Sequence, residues 1–172
     1  MRHVLQAVLA CLLVLGACSP TLNWRELRLA STPLKTLLPC QPDQGSRRLP
    51  LAAVEVDMHM AGCEAGGMLF AVAWVDMKDA ALAATALTQW QTAMLANMQG
   101  TTTQVADFTP KEAGDQPPGV RVVASGRRQD GRAVVAQGVW FARGTQVFHA
   151  ALYADQPSPD VAETFFAGIE LQ

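Results

Sequence analysis

Leu51-Ala52-Ala53-Val54-Glu55-Val56-Asp57-Met58-His59-Met60 sets Val54, Val56, Met58 and Met60 against Glu55, Asp57 and His59 in strict alternation. Period-two alternation marks a strand with one buried and one wet face. Gly62–Gly67 then reads as a turn holding Cys63, and Met68–Val75 as a second, more continuously apolar strand. Together they predict a hairpin whose second strand is covered on both faces.

Downstream of the hairpin, Lys78–Met98 predicts a helix. Ala83, Leu87, Trp90, Met94 and Met98 fall on one stripe at helical spacing, Asp79 is placed to cap the start, and Gly100 to end it. Thr101–Phe108 reads as a strand, and 111–119 as a loop with Gly114, Pro117 and Pro118. Val120–Ser125, Ala133–Ala142 and Gln146–Tyr153 read as three further strands, joined by tight turns at Asp130-Gly131 and Arg143-Gly144. Ser158 and Pro159 begin a closing helix with Val161, Phe165 and Ile169 on its apolar side. Upstream, Leu34–Leu38 is a short apolar piece stopped by the turn-forming residues Pro39–Gly45. Strands, helix, strands, helix predicts an α+β domain over residues 22–172, an antiparallel sheet with helices packed on it.

The N-terminus carries an address. Arg2 and His3 precede Val4–Ala17, apolar but for Gln6. That is a signal-peptide pattern, shorter than the roughly 20 apolar residues that span a bilayer as a helix. The run ends Leu15-Gly16-Ala17-Cys18, which resembles the lipobox of bacterial lipoproteins. The resemblance implies a signal peptide over 1–17, acylation of the Cys18 thiol, a short linker over 18–21, and a lipid-anchored protein of the cell envelope. Ser19 follows the cysteine, with no aspartate there to retain the protein at the inner membrane, so the outer membrane, facing the periplasm, is expected. The run Val8-Leu9-Ala10-Cys11 matches less well, because it leaves almost no apolar segment before it.

The folded part resembles the PsbP/Mog1-like fold, through an early strand ending in Leu38-Pro39-Cys40-Gln41-Pro42, a hairpin, a middle helix, a three-strand meander and a closing helix with Phe165-Phe166-Ala167-Gly168-Ile169-Glu170-Leu171. The resemblance implies an α+β architecture and a role in binding or assisting other proteins. It carries no catalytic motif onto this chain.

Cys40 and Cys63 remain once Cys11 is removed and Cys18 is acylated. An even pair in an exported chain predicts a disulfide, and a separation of 23 is far from the C-x-x-C spacing of a redox or metal pair. With Arg2 gone, the 155 residues from Cys18 onward carry a net charge of −3, a balance that predicts no nucleic-acid binding and no polybasic membrane surface.

Chemistry is thinly signalled. Ser125 lacks the leading glycine of G-x-S-x-G, and there is no H-E-x-x-H and no phosphate-cradling glycine loop. His59 and His149 are the histidines beyond the signal segment, both in strand patterns. Met58, His59, Met60, Cys63 and Met68 would suit copper(I), but alternation separates His59 from the two flanking methionines, which favours core filler. Trp24, Trp74, Trp90 and Trp140 read as core. No cofactor and no metal are predicted. Arg121, Arg127, Arg128, Arg132 and Arg143 gather in the C-terminal meander, where they could meet an anionic envelope component or an acidic protein; the competing reading is ordinary protection of hairpin ends. The expected role is a non-catalytic binding or assembly module, with a periplasm-facing hydrolase or a small-ligand or metal carrier as alternatives. A histidine beside a carboxylate in a deep polar pocket would favour the enzyme, an apolar cavity between sheet and helix the carrier, and a flat apolar or arginine-rich patch the module.

Overall fold

A computed structural model describes residues 21–172. The signal segment, Cys11 and Cys18 lie outside the described residues. Ten strands and two helices follow in the order β1 (Arg25–Arg28), β2 (Leu34–Leu38), β3 (Asp43–Leu51), β4 (Val54–Ala65), β5 (Met68–Asp76), α1 (Ala83–Asn97), β6 (Thr101–Phe108), β7 (Gly119–Arg127), β8 (Ala133–Arg143), β9 (Gln146–Ala154), α2 (Pro159–Ala167) and β10 (Glu170–Leu171).

The expected helix-packed α+β architecture is thereby corrected: the fold is β-rich. A seven-stranded antiparallel sheet, in the order β3-β4-β5-β9-β8-β7-β6, carries α1 on one face. On the other face lie α2 and a three-stranded sheet, β1-β2-β10. Two meanders, β3-β4-β5 and β6-β7-β8-β9, meet where β5 pairs with β9, Ala71 opposite Ala151.

The difference from the sequence expectation has an identifiable cause at β3. The strand pairs residue for residue with β4, from Asp43 opposite Gly62 to Leu51 opposite Val54. It is an edge strand, exposed on both sides over most of its length, so it shows no period-two signal. Pro50 sits in it without penalty because an edge strand need not donate every N–H. Its turn is equally silent. Ala52 and Ala53 both take positive φ, 50° and 62°, the geometry of a two-residue hairpin turn that usually requires Asn-Gly. Tertiary contact holds it: Ala52 is buried, and its N–H donates to Gln89 Oε1 of α1 at 2.7 Å.

The helix expectation over 78–98 resolves into a 3-10 turn at Ala80–Leu82 followed by α1. Asp79 accepts from the Ala81 N–H at 2.8 Å, as a capping residue should. At the other end Gln99, at φ 48°, takes the left-handed position, and the Gly100 N–H closes on the Leu95 carbonyl at 2.7 Å. Ser158 precedes α2, but its side chain makes no capping hydrogen bond.

Cys40 and Cys63 form a disulfide with Cα atoms 6.0 Å apart. Cys63 lies within β4, opposite Phe70, not in the turn, which falls at Gly66-Gly67. The bridge ties the segment after β2 to the large sheet. With the cysteines 23 positions apart, Cys40→Ser should lower unfolding stability by about 3 kcal/mol in the chain-entropy view. Urea midpoints of the oxidised wild type and the variant check this; coincident midpoints would contradict it. No helix among the described residues is long and apolar enough to cross a membrane.

Candidate ligand groove between the sheet and the first helix

Helix α1 crosses the sheet over β8 and β9, inserting Ala86, Trp90 and Met94 from its buried stripe. It leaves part of β4, β5 and β9 uncovered. There the strand register places small residues side by side: Gly62 opposite Ala71, and Ala71 opposite Ala151. Successive residues on one face of a strand are about 7 Å apart along it. The row is flanked on one side by Leu69 and Tyr153 and on the other by Met60, Ala73 and His149. A depression one row wide results. It forms a groove of about 670 Å³, walled by Trp90, Ala93, Met94 and Asn97 of α1 and by Leu49 and Pro50 of β3. That volume lies within the range of small-molecule sites. Its polar lining includes Arg47, Arg127 and Arg128, and no Asp or Glu.

His149 stands at the inner wall and is 7% exposed. Its ring stacks on Trp140, with centroids 4.3 Å apart at 13°, and meets Trp90 edge-on at 5.5 Å. Gly138 makes room for this arrangement: a Cβ there would stand 2.6 Å from the Trp140 ring. His149 Nδ1 lies 3.1 Å from the Val139 carbonyl and donates to it, which leaves Nε2 as an acceptor in the neutral ring. Burial pushes the His149 pKa down to about 4, against a smaller opposing effect of the Val139 bond. The imidazole is therefore neutral at pH 7. Burial also raises the Tyr153 phenol. The groove can thus enclose an apolar body, offer one neutral acceptor and present cations at its rim.

The remaining sequence candidates are dispersed. His59 lies on the opposite face, exposed and stacked on Trp74 at 5.3 Å. It lines a polar concavity of about 660 Å³ with Glu55, Asp57, Asp76, Lys78 and Arg48. The soft-donor set is split: Met58 is buried under α1, Met68 belongs to the core of the opposite face, and Cys63 is bound to Cys40. No group of three or more His, Cys, Asp or Glu placed to hold a metal occurs among the described residues. Ser125 is exposed on β7.

The five arginines occupy three places. Arg127, Arg128 and Arg132 gather at the β7–β8 turn, where Arg128 engages Asp155 at 3.0 Å and Arg132 engages Asp130 at 2.7 Å. Arg121 projects to the α2 side, where it meets Glu163 at 2.8 Å, Gln137 at 2.9 Å and the Phe166 ring at 4.5 Å. Arg143, at the far end of β8, donates to the Gln172 carbonyl at 2.9 Å. Sequence reasoning grouped these residues by position along the chain. It missed the groove, whose floor depends on cross-strand register.

No family model matches the chain, and no curated protein is similar to it. Among solved structures, it is similar to a protein of unknown function from Pseudomonas aeruginosa, with 14% identity, 80% of this chain and 84% of that chain covered, and a TM-score of 0.34. A likeness of that strength carries no argument about fold or function.

Proposed function

We propose that this protein is a lipid-anchored, non-catalytic binding protein of the bacterial cell envelope, outer-membrane bound and facing the periplasm, whose helix-side groove takes a small ligand with an apolar body. The observation that carries the ligand reading is the groove itself: Ala71 and Ala151 form its floor, with Trp90 and Met94 as one wall. Its histidine, His149, is stacked on Trp140, meets Trp90 edge-on and is hydrogen-bonded to a backbone carbonyl. A general base needs a partner that orients it toward a substrate proton. His149 is instead held as a neutral wall residue, which supports binding over catalysis. The anchor reading rests on Val4–Ala17 and Leu15-Gly16-Ala17-Cys18.

Both parts have direct tests. Cys18→Ser should abolish metabolic labelling of the protein with fatty acid; unchanged labelling would refute the anchor. For the groove, N-phenyl-1-naphthylamine, an uncharged apolar dye, should gain fluorescence with the wild-type protein. Ala71→Phe, which fills the floor, should weaken that binding by at least about tenfold, or roughly 1.4 kcal/mol. Equal dye binding by the variant would place the ligand elsewhere.

A further inference from the structure

The groove's charge and its place in the fold narrow the ligand. Arg127 and Arg128 bound one part of it and Arg47 another, and no carboxylate lines it. Arg127 spends one nitrogen on the Gly131 carbonyl, at 2.9 Å, and Arg128 is shared with Asp155. Both arginines are among the residues that line the apolar trough.

The same end of the sheet is where the described chain begins. A Cβ on Gly66 would touch Thr21 and Leu22, at 3.4 and 3.5 Å, so these two residues lie against the β4–β5 turn. Register places that turn beside the end of β9, Met68 opposite Ala154, and Ala154 opposite Val135 of β8. Arg127 pairs with Ala133, two residues further toward the β7–β8 turn. Chain start, β7–β8 turn and arginine rim therefore share one end. Cys18 is three residues from Thr21, a reach of about 10 Å. An anchor at Cys18 turns this end, and the groove's arginines, toward the bilayer.

We infer that the groove binds a long-chain fatty acid drawn from the membrane, its single acyl chain along the Ala71–Ala151 floor and its carboxylate on the Arg127 and Arg128 guanidinium groups. This rests on the ligand-groove reading above. Arginine forks suit a carboxylate, and the apolar floor suits the chain.

The test uses the full chain in envelope vesicles, probed with palmitate bearing a terminal diazirine, with adducts mapped by peptide mass spectrometry. Adducts are expected in the peptides of β5 and α1. Ala71→Phe should cut labelling at least about tenfold, and so should Ala93→Trp, an exposed position on the helix wall that leaves the core untouched. Unlabelled palmitate should compete about tenfold better than hexadecanol, its uncharged counterpart, as expected for a charge-assisted pair. That advantage should vanish when Arg127→Gln and Arg128→Gln are combined. Equal competition by the two, or labelling insensitive to both groove variants, overturns the proposal. If the naphthylamine dye occupies the groove while palmitate fails to displace it, the fatty acid is wrong and the groove reading stands; if neither occupies it, both fall.

Discussion

Phe70→Ala should lower unfolding stability by about 3–5 kcal/mol, the range for emptying a buried phenylalanine site. Phe70 is fully buried on β5, the strand through which the two meanders join. Its ring meets Trp24 edge-on at 5.8 Å and Phe165 edge-on at 5.3 Å. It therefore ties the large sheet to α2 and to the segment leading into β1. A cavity there would abut three elements that cannot all close in upon it, because each is fixed elsewhere by its own pairing. Denaturant unfolding measures the loss. Phe70→Leu, which keeps most of the volume, should lose less than half as much; equal losses would mean that the aromatic contacts, and not the filled volume, hold this junction.

Acid should weaken the fold through His149. Its pKa is about 4 when folded, against an ordinary value of 6.5 for a free imidazole. Between those values the unfolded chain binds a proton that the folded chain excludes, so stability falls as pH drops. The contribution is complete above about pH 6.5 and lost by about pH 4, for a total of about 3 kcal/mol. Asp76, Asp130 and Glu170 are held below their ordinary values chiefly by hydrogen bonds from Lys78, Arg132 and Lys35, respectively. Their contributions disappear in the carboxylate range and below. The difference between wild type and His149→Gln across pH 7 to 4 therefore isolates the imidazole. The variant should lose most of the slope between pH 6.5 and 5. An unchanged slope there would show that His149 is not the group excluded from protonation.

The sequence exposed those elements whose side chains alternate or repeat against a single core. Strand β4 and the body of α1 are of this kind; β5, β8 and β9, buried on both faces, show instead as nearly continuous apolar runs. Strand β3 left no such trace: with both faces largely wet, Asp43–Leu51 has nothing to alternate, and its Ala52-Ala53 turn is fixed by Gln89, 37 residues away. Missing the strands Arg25–Arg28, Asp43–Leu51 and Glu170–Leu171 produced the α+β expectation. Cys40 and Cys63 were legible as a pair because two cysteines admit one pairing. The groove was illegible for a different reason. Ala71 and Ala151 are unremarkable singly, and become a floor only once β5 and β9 lie in register. Likewise the stack of Trp90, His149 and Trp140 joins α1, β9 and β8, and no local pattern announces it.

The most direct test of the ligand groove uses methyl resonances of the methionines. Met58, Met60, Met94 and Met98 line it, whereas Met68 and Met77 are buried and do not line it. With 13C-methyl methionine and increasing N-phenyl-1-naphthylamine, the first four signals should shift together along one saturation curve while those of Met68 and Met77 stay in place. Shifts centred on Met68 or Met77, or none at the four groove methionines while the dye binds, would contradict a ligand site between the sheet and the first helix.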